Sequence, residues 1–176
     1  FTNIDLRTGI KTHIAVTVDP VAKTATCYIN GVATQTLTGV ANIPENITNV
    51  MCLGGDLRYQ NAQHLKNTEI YSVALYSDSR TADEIAADAT AMDIDDEALI
   101  AAYDLTAPGD MILTDISANN NHLSYSGSRT FEKGTTFTTY DRYVTKDIPS
   151  ALPMTVEADL KVDPDAPATR LYTIFG

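Results

Sequence analysis

The strictest constraint on this chain is a period of two. "HIAVTVD" from His13 to Asp19 alternates and is rich in β-branched residues, Pro20 fixes φ in the turn "PVAK", and "TATCYIN" answers it before Asn30-Gly31. Such alternation sends successive side chains to opposite faces of a strand, and Asn-Gly is a strong tight-turn signal, so the segment reads as a hairpin. "VATQTLTG", "NVMCLGGD" and "NTEIYSVALYS" continue the pattern, each bounded by Gly, Asn, Asp or Pro at the spacing of a sandwich or barrel. The expected fold class is all-β, a sandwich or a barrel.

One helix interrupts the strands. In "SRTADEIAADATAM", Thr81 and Glu84 have the spacing of a capping box, Asp83 suits the positive end of the helix, and Ile85, Ala89 and Met92 share a face. The acidic stretch "DIDDEA", Asp93 to Ala98, reads as a linker. Strands then resume with "LIAAYDL", "MILTDIS", "FTTYDRYVT" and "TVEADLKVD", and no internal repeat is present. The division expected is 1–92, a linker at 93–98, and 99–176.

A chain of 176 residues with 44% hydrophobic and 20% charged side chains can bury one sizeable core. Its net charge of −11 opposes binding to a phosphate backbone or an anionic membrane, so no nucleic-acid partner is expected. No run of apolar residues is long enough to predict membrane insertion. Cys27 lies on the face of Ala25 and Ile29, whereas Cys52 lies opposite Met51 and Leu53. Two free thiols are therefore expected, and the redox compartment stays open.

"KTHIAVTVDPVAKTATCYINGV", Lys11 to Val32, resembles the laminin G-like, concanavalin A-like lectin/glucanase family, whose signature is a Trp-Thr-His-hydrophobic-Ala strand, a turn, and a Tyr-hydrophobic-Asn-Gly hairpin end. Thr12, His13, Ala15, Tyr28, Asn30 and Gly31 match it, while Lys11 stands where the family usually has Trp. The similarity continues through "MCLGGDLRYQNAQHLKNTEIYSVALYSDSRTADEIAAD", the closing section of such a module. "LIAAYDL" and "DISANNNHL" resemble the opening of one. The resemblance thus implies the later half of one module followed by the earlier half of the next, in a chain that opens on Phe1 and ends on "RLYTIFG" like a piece of a longer protein. The halves either stand apart or close on each other as one circularly permuted jelly-roll sandwich. Neighbouring first and last strands favour closure.

Function has to be argued from sites, since this fold hosts lectins, glycosidases and adhesion modules alike. Glu157 and Asp159 in "TVEADLKVD" resemble the Glu-x-Asp-x-x-Glu strand of sandwich-fold glycoside hydrolases, but Val162 replaces the last Glu. The expectation is a polar strand face and no catalytic residue. His13, His64 and His122 have no ligand-spaced partners, so no zinc site is expected. The resemblance leaves Ca²⁺ open, with Asp104, Asp115 and Asp56 as candidate ligands.

Asp56, Arg58, Tyr59, Asn61 and His64 crowd one loop, pairing a stacking ring with hydrogen-bonding groups, and are the candidate ligand-binding residues. The expectation is a non-catalytic carbohydrate-binding or adhesion module, secreted or at the cell surface. Its partners would be a glycan or surface protein and neighbouring modules of the same polypeptide. The alternatives are a structural spacer repeat without ligand, or a glycoside hydrolase of concanavalin A-like fold.

Overall fold

The computed structural model describes residues 1–2, 4–40, 46–47, 52–54, 67–106, 112–126, 135–137, 142–144, 150–151 and 153–166. In chain order the elements are β1 Thr12–Asp19, β2 Thr24–Ile29, β3 Val32–Thr38, β4 Asn46–Ile47, β5 Cys52–Leu53, β6 Thr68–Tyr76, α1 Ala82–Asp88, β7 Leu99–Asp104, β8 Ile112–Leu113, β9 Leu123–Ser126, β10 Thr135–Phe137, β11 Arg142–Val144, β12 Ser150–Ala151 and β13 Met154–Val162.

The alternating segments become the long strands of a 7-stranded antiparallel sheet, in the order β10-β6-β13-β1-β2-β3 with β7 also paired to β6. β13 lies between β1 and β6, pairing Val16 with Val156 on one side and Ala158 with Val73 on the other. Strands from both sides of Asp93–Ala98 therefore interleave in one sheet. A second sheet of 4 short strands runs β5-β11-β9-β8, and β4 pairs with β12.

Ile14, Cys27, Val73, Tyr103, Ala158 and Leu160 on the large sheet share one buried cluster with Leu53, Leu113 and Leu123 of the smaller sheet. Two antiparallel layers packed over an apolar interior make a mostly β sandwich. Cys27 is a free, buried thiol on the face of Ala25 and Ile29, as its alternation predicts; the side chain of Cys52 lies outside the described residues.

The opposite face of the large sheet is also covered. α1 caps as its sequence predicts: the Thr81 hydroxyl accepts from Glu84 N, and the Glu84 carboxylate accepts from Thr81 N at 2.7 Å. Ile85, fully buried, packs on Ala15 and Tyr28. The return towards β7 lays Met92 and Ala98 against Ala74, Tyr76 and Ala102. The segment from Arg80 to Ala98 is thus a third layer over the middle of the sheet.

Candidate functional site

Between the sheet and this third layer lies a group of buried charges. β1 and β13 pair so that His13 stands opposite Asp159 and Ala15 opposite Glu157. His13 and Glu157 are therefore diagonal neighbours on one face, within reach of each other. His13 Nε2 is 3.2 Å from Glu157 Oε2, and the residues are 7% and 3% exposed. Glu157 lies on the face of "TVEADLKVD" opposite the core residues Ala158 and Leu160, as its alternation predicts, but α1 and its return bury the position.

Arg80 fills the centre at 5% exposure. Its backbone N–H donates to Thr155 Oγ1 at 2.9 Å, and that hydroxyl donates to Asp78 O at 2.8 Å, tying the start of the third layer to β13. Its Nη1 donates to Asp96 Oδ2 at 2.8 Å. Its Nε lies 2.7 Å from Asp88 Oδ2 and 3.7 Å from Glu157 Oε1, close in charge but not aligned as hydrogen bonds. The guanidinium also stacks over Tyr76, 4.0 Å from the ring centre.

Environment sets the protonation equilibria. Burial pushes the Glu157 carboxyl above its usual range and the Asp88 charge adds to this, against the lowering by the His13 hydrogen bond and by Arg80. Burial likewise raises the Tyr76 phenol and Asp78. For Arg80, burial works to lower the value, but the Asp96 hydrogen bond and the Asp88 charge outweigh it and the net direction is up. The Arg80 hydrogen bond holds Asp96 below the usual carboxylate range. Removing one partner from a buried, paired charge costs about 3–5 kcal/mol, so this group clamps the third layer onto the sheet.

A cavity of about 170 Å³ opens beside the cluster, lined by His13, Ser72 and Glu157 from the sheet and by Asp88, Thr90 and Met92 from α1 and its return. Asp159 also lines it and is held by Lys11 Nζ at 2.6 Å. Lys11, which stands where the resembled family has Trp, sits 5.4 Å from the centre of the Tyr71 ring.

The other expected positions divide. Asp56, Arg58, Tyr59, Asn61 and His64 all lie outside the described residues. Asp115 is buried and organises its own loop, its two carboxylate oxygens accepting from Ala102 N, Ser117 N, Ser117 Oγ and Asn121 N at 2.8–2.9 Å. His122 Nδ1 accepts from Asp115 N at 3.0 Å. Asp104, exposed, accepts from Thr106 N and Oγ1. Among the described residues no group of three or more His, Cys, Asp or Glu is placed to hold a metal ion.

The sequence reading singled out His13 and Glu157 separately and did not join them, and it missed Arg80, Asp88 and Asp96. One signal was available. Asp88 follows Ile85 at helical spacing on the inward face of α1, and a carboxylate at a core-facing position implies a buried cation.

Comparison with curated proteins and with solved structures returns no match. A family model described as the concanavalin A-like lectin/glucanases superfamily, in its laminin G-like form, matches residues 2–86, which contain the β1–β2 hairpin, β6 and most of α1. Residues 2–86 belong to the concanavalin A-like lectin/glucanases superfamily.

Proposed function

We propose that this chain is a non-catalytic carbohydrate-binding or adhesion module of a larger secreted or cell-surface protein. The observation that carries the reading is the place of Glu157. A glycoside hydrolase of this fold needs two carboxylates flanking a bound sugar, about 5 Å apart in a retaining enzyme. Glu157 instead lies under the third layer at 3% exposure, and Asp159 beside it is occupied by Lys11. The adjoining cavity, about 170 Å³, falls below the roughly 300–1,000 Å³ usual for a small-molecule site. A polymeric glycan would need a different surface, and the stretch from Asp56 to His64, outside the described residues, carries an aromatic ring and hydrogen-bonding groups in its sequence.

A glycan array probed with the intact chain and with Tyr59→Ala tests this. Selective retention of one glycan class, weakened about tenfold or more when the stacking ring is removed, is the expected result. A flat array would leave the spacer reading in its place. Hydrolysis of β-glucans that disappears in Glu157→Gln would establish a hydrolase instead.

A further inference from the structure

The large sheet ends differently on its two sides. At β7 the chain closes its own edge. Ala102 N donates to Asp115 Oδ1 and Ala102 O accepts from Ile116 N, while the side-chain amides of Asn119 and Asn121 donate to Leu99 O and Ile100 O, all at 2.7–2.9 Å. Among the described residues β3 has no such cover. It pairs with β2 alone, and all of its residues except Gln35 are exposed, Val32 at 68%. Its other bonds are local: Thr34 Oγ1 donates to Val32 O, the Thr26 and Thr36 hydroxyls lie 3.1 Å apart, and the Gln35 side chain is held by Thr2. Antiparallel pairing with one neighbour turns about half of a strand's N–H and C=O groups outward, so β3 presents a row of open donors and acceptors.

Exposed edges are ordinarily guarded by charged side chains or proline. β3 has neither. From Thr24 to Pro44 the sequence carries no Asp, Glu, Lys, Arg or His, in a chain whose residues are 20% charged and whose net charge is −11. The one irregularity is a bulge: Ala33 and Gln35 pair with consecutive residues of β2 and leave Thr34 over, after which Gln35 to Thr38 keep a regular register. Charge also selects the occupant. Two copies of this anionic chain repel overall, and β3 against β3 brings two uncharged strands together.

We propose that β3 is a dimerisation edge, at which two copies of the chain pair β3 antiparallel to β3 about a two-fold axis at Thr36 and join their large sheets into one. That axis sets Thr36 opposite itself, Gln35 opposite Leu37 and Thr34 opposite Thr38 of the second copy. Opposed threonines are favourable cross-strand neighbours. The contact uses the same patch on both copies, so it closes at two. One short strand from each copy makes a small interface, and the dimer is correspondingly weak, with a dissociation constant on the order of 100 μM. This proposal does not rest on the glycan reading.

Sedimentation equilibrium of the full chain, over roughly a hundredfold range of concentration around that value, should follow a monomer–dimer equilibrium. Added sodium chloride should tighten it, because salt screens the repulsion between two anionic copies. Thr36→Glu sets two carboxylates against each other across the axis and should weaken the dimer about tenfold or more. Position 36 is exposed in the monomer, so the melting temperature of that variant in dilute solution should match the parent's. Should the variant not fold, amide hydrogen exchange of the unaltered chain gives the answer: protection should rise with concentration in β3 and stay constant at β7. An edge reserved for a segment of another protein would leave the chain monomeric throughout. That result, assembly beyond the dimer, a dimer weakened by salt, or one indifferent to Thr36→Glu would overturn the proposal.

Discussion

Glu157 couples the buried cluster to pH. Burial raises its carboxyl in the folded chain, so the protonated form is the one that folding favours. The sign follows: its contribution to stability is complete below the unfolded value, 4.5, and is lost as pH rises through the raised folded value. The groups facing it are His13 on β1, Tyr76 on β6, and Arg80 and Asp88 on the third layer. A glutamine keeps the shape and cannot titrate. The melting temperature of Glu157→Gln relative to the parent should therefore become more favourable as pH rises above 4.5 and level off beyond the raised folded value. Parallel melting curves across that range would show that Glu157 does not titrate with folding. At this scale the sequence exposed the residue types but not their meeting, because the His13–Glu157 contact spans 144 positions.

Several residues of the family signature are those that seat the third layer. Asn30 Oδ1 accepts from His13 N at 2.9 Å, and Asn30 N donates to His13 O at 2.8 Å, which fixes the strand position from which the imidazole projects. Ala15 and Tyr28 form the surface for Ile85. Gly31 closes the turn at φ +78°, and a Cβ there would lie 2.9 Å from the Ala86 backbone of α1. Gly31→Ala combines left-handed backbone strain with a helix that cannot approach, and should cost about 2–4 kcal/mol in denaturant unfolding. A loss under half a kcal/mol would mean that α1 is not held against this hairpin. The hairpin and the capping box were legible because both are local: each depends on residues within a few positions of one another. That α1 would cover the polar residues of the sheet was not, because amphipathic spacing identifies an apolar helix face without naming the surface it meets.

For the molecule as a whole, the decisive fact is that β13 separates β1 from β6. Without it, two long strands of the first half would each present an unpaired edge, and β13 alone would have no sheet to join. Fragments 1–92 and 99–176 should each lack a cooperative thermal transition, and an equimolar mixture should recover both the transition and the β-type circular dichroism. A cooperative transition in either fragment by itself would show that the halves fold independently. The amino-acid sequence alone determined the strands, the hairpin, the capped helix and the resemblance, because alternation, turn chemistry and capping act between near neighbours. Tertiary structure alone decided that β13 lies between β1 and β6, that Arg80 draws Asp88, Asp96 and Glu157 together, and that a cavity opens beside them. Those arrangements depend on strand pairing across long separations, where register and order follow from burying a common core that no short stretch of the chain encodes.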